Sequence, residues 1–334
     1  MTSILTNTAA MAALQTLRTI DASMEQTQAR VSSGLRVASA SDNAAYWSIA
    51  TTMRSDNMAI SAVQDAIGLG AAKVDTAYAA MESAIDVVKE IKAKVVAATE
   101  QGVDKAKIQE EINQLQLQLL SIAESASFSG ENWIAGGVNT ANAPIDATVV
   151  SGFIRSADGA VAVKTTVYTL DASTPGEMTM LFGGAATTGA IDTASGILGT
   201  IADDWVLDYD SDGTTGDTPA EIDGMSIYDL DITTAFTDVT VGMAEALTLV
   251  EAGLQAMTSA AAALGSIAMR IGLQEDFVSK LHDSIDSGIG RLVDADMNAE
   301  STRLKALQTQ QQLGIQSLSI ANTNSENILQ LFRQ

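Results

Sequence analysis

Residues 247–292 read LTLVEAGLQAMTSAAAALGSIAMRIGLQEDFVSKLHDSIDSGIGRL. Leu247, Val250, Leu254, Met257, Ala261, Leu264, Ala268 and Ile271 step by three and four, and the ladder resumes at Val278, Ile285, Ile289 and Leu292. Apolar side chains at that spacing line one stripe of a helix, and a sustained three-four alternation is the seam of a coiled coil. At ~1.5 Å per residue this helix runs roughly 70 Å, too long for burial in a compact globule. Such a stripe needs partner helices of matching length.

The other end of the chain supplies them. From Ile60 a second ladder passes through Val63, Ile67, Gly70, Val74, Ala77, Met81, Ala84, Val88, Ile91 and Val95. After a break at Gln101-Gly102, Ile108, Ile112, Leu115, Leu119 and Ile122 make a third, shorter helix, and the short connection implies an antiparallel hairpin. The three prolines, at 144, 175 and 219, leave both long helical regions uninterrupted. The termini are helical as well. Leu14, Leu17, Met24 and Val31 form a narrow stripe near the start, and Leu304, Leu307, Leu313, Leu318 and Ile328 mark an amide-rich last helix. A narrow-striped helix is marginal alone in water. It either docks on its own domain or orders only against copies of itself.

Composition changes near Gly130. Residues 131–245 hold 18 acidic residues against two basic ones, Arg155 and Lys164, and 14 of the 25 glycines. Val149–Ile154 and Val161–Leu170 flank Ala157-Asp158-Gly159-Ala160 and read as a β-hairpin, with further short strands expected at 205–207 and 225–232. The fold class is therefore mainly α: a long antiparallel coiled-coil rod of N- and C-terminal regions with an inserted small β-rich domain.

Composition also limits the chemistry. A net charge of −23 argues against nucleic acid and anionic membranes, and no cysteine is available for disulfides or thiolate metal sites. One histidine, His282, cannot build a zinc motif and makes a catalytic triad hard to write. No uninterrupted apolar run of membrane-spanning length and no signal-peptide pattern is readable. Asp208, Asp210 and Asp212 fit the first half of a calcium loop, which fails at its twelfth position, where Pro219 stands in place of the bidentate glutamate. Glu221 and Asp223 follow in a different geometry, and an acidic solvated turn accounts for the pattern. His282 falls on the strict seam, where it can set register, unless drift of the stripe brings Leu281 inward instead. Asp294 and Asp296 have no accompanying base and read as cap and contact residues. No cofactor and no catalytic role is expected.

Two separated stretches carry a resemblance. Ala29-Arg30-Val31-Ser32-Ser33-Gly34-Leu35-Arg36-Val37, followed by Ser39-Ala40-Ser41-Asp42-Asn43-Ala44-Ala45, resembles the N-terminal signature of bacterial flagellins. As physics it is a linker, with Gly34 ending one helix and Ser41 or Asp42 able to cap the next. Arg291-Leu292-Val293-Asp294-Ala295-Asp296-Met297-Asn298-Ala299-Glu300 resembles the C-terminal signature. Asn7-Thr8, Phe128-Ser129-Gly130 and Ile328-Leu329-Gln330-Leu331 agree with it. The resemblance covers roughly residues 1–135 and 245–334, and around Tyr46-Trp47 and 301–320 the wording is similar to flagellins of rhizobia.

The resemblance implies a subunit that polymerises into the flagellar filament, with the hook–filament junction protein as the alternative of like architecture. It implies an inner tube from 1–42 with 293–334, a helical rod from 43–135 with 245–292, and an acidic β-rich outer domain at 136–244 whose first hairpin packs on the rod. Self-assembly is then expected of Leu14, Leu17, Met24, Val31, Arg36, Arg291, Asp294, Asp296, Leu304, Leu307, Leu318 and Ile328. The partners implied are further copies of the chain, related flagellins, an export chaperone, and cap and hook-junction proteins. The location implied is the extracellular filament, reached by the flagellar type III route without a cleaved leader. Host immune receptors are expected to respond weakly. Val87 stands where many enteric flagellins carry a receptor-contacting arginine, and Ser41 and Asn43 replace common Lys and Asp in the stretch similar to the plant-detected epitope.

Overall fold

The computed structural model describes residues 7–100, 102–136, 144–156, 158–174, 177–184, 190–205, 207, 219, 221–233, 236 and 238–331, with side chains as far as Thr323. Its helices are α1 (Thr8–Ser33), α2 (Ala44–Ala98), α3 (Lys105–Ser125), α4 (Val239–Val293) and α5 (Met297–Leu331). Its strands are β1 (Ser127–Phe128), β2 (Glu131–Asn132), β3 (Ile145–Arg155), β4 (Val161–Leu170), β5 (Gly183–Gly184) and β6 (Ile191–Asp192). The chain divides into two compact units, residues 60–280 and residues 1–59 with 281–334.

In the unit 60–280 the α2 ladder is buried along its whole length, from Ile60 to Val95. Contacts to α4 flank it: Lys92 bonds Glu251, and the Tyr78 ring lies against Gly265, so α4 runs antiparallel beside α2. On α4 only one row of the expected seam is fully buried, comprising Val250, Met257, Leu264, Ile271 and Val278. The second row sits one residue earlier, at Ala246, Gly253, Ala260 and Ile267, while Leu247, Leu254, Ala261 and Ala268 are half-buried at its margin. Small residues occupy most of the buried second row, and the larger leucines cover its edge. By length and apolar content alone α4 would also suffice to cross a membrane. The apolar run is nevertheless not continuous, since exposed Glu251, Arg270 and Glu275 interrupt its outer face.

Helix α3 runs back along α2, for Lys94 pairs with Glu111 and, further back, Lys73 pairs with Glu131 beyond the end of α3. Its inward face is not the expected Ile108, Leu115 and Ile122, which are half-buried. Ile112 and Leu119 are buried as expected, and Gln109, Gln116 and Ala123 face inward beside them. The Gln109 amide donates to Leu230 O at 2.9 Å and accepts from Ile232 N at 2.9 Å. Gln116 donates to the carbonyls of Ile227 and Leu230, both at 3.2 Å. This explains why 225–232 is not a strand: two helix side chains occupy the main-chain groups that a neighbouring strand would have used. Of the strand expected at 205–207, Val206 lies outside the described residues; Trp205, which follows the 3-10 turn Ala202–Asp204, and Leu207 are in no strand.

The hairpin forms as read and begins earlier, pairing Ile145 with Leu170 through Arg155 with Val161, with a bulge between Val150 and Gly152. Val149 points into α2 at Gly70, where a Cβ would come within 2.1 Å of Val149 Cγ1. Glycine at 70 is thus what admits the strand. Tyr168 stacks on Trp133 with centroids 6.1 Å apart. Its buried hydroxyl makes no well-formed hydrogen bond; the Thr179 hydroxyl beside it donates to Thr169 O and accepts from Asp171 N. Burial therefore pushes the Tyr168 pKa up to about 12, only partly eased by Thr179.

Candidate assembly surface

In the other unit the chain's two signatures meet. Helix α1 is opened by Asn7, whose Oδ1 accepts from Ala10 N, and closed by Gly34 at φ +73, whose N–H returns to Arg30 O at 2.9 Å. Only glycine takes that left-handed turn at no steric cost. Leu35 then bridges Asp294, Ala295 N donates to Gly34 O, and Arg36 and Val37 both donate their N–H to Val293 O. Arg36 adds a guanidinium bond to Leu292 O at 3.0 Å. Val37, Ala50, Ile289 and Val293 close a small core beneath these bonds, with Leu35, Met53, Ile285 and Leu292 around it.

The caps differ from the expectation. Asn43, not Ser41 or Asp42, caps α2 by accepting from Ala45 N and Tyr46 N. Asp42 turns back to the linker and accepts from the N–H groups of Ser39 and Ala38 and from the Ser39 hydroxyl. Those bonds, led by the Ser39 N–H and aided by the field of Arg30, hold its carboxyl below the usual range. Asp296 caps α5 through Asn298 N and Ala299 N, and Asp294 N donates to Gly290 O.

The terminal helices pair antiparallel. Asn7 Nδ2 donates to Ala321 O, Gln311 donates to Asp21, and Arg30 binds Glu300. Of the residues expected to carry self-assembly, Leu17, Met24, Val31, Leu304, Leu307 and Leu318 lie half-buried or buried in this helix pair. Leu17 rests where α5 has only Gly314, since a Cβ there would come within 2.8 Å of Leu17 Cδ2. The structure thus docks α1 on its own chain, the first of the two readings of its stripe. Leu14 stays 41% exposed, and Arg36, Arg291, Asp294 and Asp296 are exposed. Ile328 lies in α5, with its side chain outside the described set.

Other residues on these helices were not among those expected to carry self-assembly. Met11 and Ile320, each 64% exposed, and Leu313 and Ile315 stand on the outer faces of α1 and α5. Met11, Leu14, Arg18 and Leu318 line an open groove of about 860 Å³ at the end of the pair. For Met11, Ile315 and Ile320 the available signal was negative, since they do not fit the three-four stripe; Leu313 was counted in the last helix's apolar pattern, and the structure leaves it exposed. Tyr46, Trp47, Ile49 and Met58 add a further exposed apolar set on the start of α2. His282 is neither clearly in the seam nor clear of it, being half-buried like Leu281, with Nδ1 at 3.8 Å from Asp283. Asp208, Asp210 and Asp212 lie outside the described residues. Among the described residues no group of His, Cys, Asp and Glu could hold a metal.

A paired set of terminal helices with an exposed apolar outer face defines a structural, self-associating helical protein, and the comparisons give its family. Residues 4–139 match the bacterial flagellin N-terminal helical region, and residues 247–332 match the C-terminal helical region. Flagellin D of Rhizobium meliloti strain 1021 is 54% identical over 409 aligned residues, covering all of both chains. Flagellin A of the same strain is 52% identical over 402 residues, again covering both completely. Flagellin of Brucella melitensis biotype 1 is 41% identical over 334 residues, with full coverage of each. The chain belongs to the bacterial flagellin family. It is a structural subunit of the extracellular flagellar filament and associates with itself to build it.

Proposed function

We propose that the α1–α5 pair is the assembly element, and that its outer apolar residues, not its internal seam, make the contacts between copies. The observation that carries this is the exposure of Met11, Leu14, Leu313, Ile315 and Ile320 on helices whose inner faces already bury each other. Large exposed apolar sets on an otherwise acidic chain mark interaction surfaces. Leu17, Met24, Val31, Leu304, Leu307 and Leu318 act one step back, by fixing the pair. Arg36, Asp294 and Asp296 fix its root, and Arg291 and Ile328 complete the assembly set.

In this reading 1–42 with 293–334 forms an inner tube, 43–135 with 245–292 a surrounding rod, and 136–244 the outward acidic part. The chain co-assembles with related flagellins, meets an export chaperone, cap and hook-junction proteins, and leaves the cell by the flagellar type III route. A cysteine-free chain cannot cross-link while extended in a channel. It neither inserts in membranes nor catalyses a reaction. Host receptor responses are weak, supported by Val87 being buried and by Asn43 being committed to the α2 cap.

The test is elongation of purified chain from filament seeds, followed by electron microscopy. Met11→Glu and Ile320→Glu should each prevent elongation while the circular dichroism of the soluble chain is unchanged, and deletion of 1–35 and 300–334 should abolish it. Unimpaired growth of both glutamate variants sinks the reading. Wild-type chain that caps seeds without extending them favours the hook–filament junction protein.

A further inference from the structure

The α1–α5 seam has a weakness. Its buried and half-buried rows recur every seven residues: Ala10, Leu17, Met24 and Val31 with Ala13, Ile20 and Thr27 on α1, and Leu304, Gln311 and Leu318 with Leu307, Gly314 and Ala321 on α5. Small and middle-sized residues at a strict seven-residue period fit in large part after a slip of one heptad, so beyond the main-chain bonds at the root apolar packing chooses a register chiefly where Leu17 meets Gly314.

One ion pair sits inside this seam. Arg30 Nη1 meets Glu300 Oε1 at 3.2 Å, with side chains only 23% and 12% exposed. Each charge suits its own helix, since Arg30 is in the last turn of α1 and Glu300 in the first turn of α5. The field of Arg30 also reaches Asp42 in the linker. Yet the pair is incompletely bonded: Arg30 Nε and Glu300 Oε2 are buried with no hydrogen-bond partner. A largely desolvated pair with an unused donor and acceptor contributes little to stability and can be outdone by apolar side chains of similar size. What it does supply is a choice of register, because a one-heptad slip leaves two opposite charges buried apart, and that is far worse than any loss of methyl contacts.

We propose that Arg30 and Glu300 are positioning residues for polymerisation: they lock α1 and α5 in the one register that sets Met11 and Leu14 level with Leu313, Ile315 and Ile320 on the outside of the pair, where further copies of the chain dock. The proposal rests on the assembly reading above. Asp21 with Gln311 is an exposed helper of the same kind, and the Gly314 recess for Leu17 is the apolar counterpart.

The test uses the full chain on wild-type seeds, with melting followed in parallel. R30M/E300M replaces the pair by apolar side chains of similar length, and R30E/E300R exchanges the charges. The lock predicts that R30M/E300M melts no lower than wild type but needs roughly tenfold more chain to elongate. It also predicts that R30E/E300R elongates better than R30E alone, although both charges now face the wrong helix ends. Wild-type elongation by R30M/E300M overturns the lock. So does a fall in its melting temperature together with no recovery in R30E/E300R, since the pair would then be a local stabiliser only. Failure of the wild-type chain to elongate would strike at the assembly reading itself.

Discussion

Two glycines two residues apart on α2 permit a controlled test of how the β3–β4 hairpin is seated. Replacing either by alanine gives the same helix-propensity gain, about 1 kcal/mol, so the difference between them isolates packing. At Gly68 a new Cβ meets nothing within 4 Å. At Gly70 it lies 2.1 Å from Val149 Cγ1, 3.2 Å from its Cβ and 3.3 Å from its Cγ2. Ordinary carbon contacts need about 3.5–4.0 Å, so β3 must lift by more than 1 Å or Val149 must leave its rotamer. Val149 is β-branched and 3% exposed, with little room to turn. Overpacking of this kind costs about 1–3 kcal/mol. In a unit of this size each kcal/mol moves the melting temperature by about 2–4 °C, which places Gly70→Ala about 2–12 °C below Gly68→Ala. Thermal unfolding by circular dichroism reads the gap directly. Val149→Ala supplies the cross-check: combined with Gly70→Ala it should cost clearly less than the sum of the two single changes. Equal melting of the two glycine variants, or strict additivity in the cycle, would refute the seating of Val149 on Gly70.

Other consequences are as direct. Tyr168 holds its proton up to about 12 in the folded chain against 10.0 when unfolded, so stability is full below pH about 10 and falls by about 2–3 kcal/mol as pH climbs to about 12. Tyr168→Phe should flatten that slope in alkaline denaturation curves without loss at neutral pH, because the hydroxyl it removes is buried and makes no well-formed hydrogen bond. Gln109→Leu strands the buried Ile232 N–H and should destabilise by about 1–3 kcal/mol, with exchange of that amide accelerating ahead of global unfolding. Leu17→Cys with Gly314→Cys, in a chain otherwise free of cysteine, should close an intrachain disulfide in oxidised filaments, shown by faster gel migration after denaturation without reductant.

The α2 ladder was legible to the residue because its period is unbroken: all eleven positions from Ile60 to Val95 are buried. Half of the α4 seam was legible. The rest slipped by one position because Ala246, Gly253 and Ala260 carry so little apolar surface that a pattern weighted by size passes over them for Leu247, Leu254 and Ala261. Gln109 and Gln116 could not be found that way, since an amide reads as a surface residue until the main chain it binds, more than a hundred residues later, is in view. The same limit applies at the assembly surface. The stripe of Leu17, Met24 and Val31 was plain in the sequence, but only the docked α5 shows that this stripe is already used within the chain and that Met11 and Leu14 remain outside it.

The two glutamines on α3 have a practical consequence. They bind the carbonyls of Ile227 and Leu230 and the N–H of Ile232, which every residue other than proline possesses. The amides themselves do not read side chains; Ile227, Leu230 and Ile232 add the apolar fit, Ile227 reaching α4 where Gly253 leaves room. A foreign peptide spliced upstream of Ile227 would be returned to the helices by the same two amides. A replacement segment that keeps apolar residues at 227, 230 and 232 therefore keeps its anchorage on α3, whatever lies upstream of it.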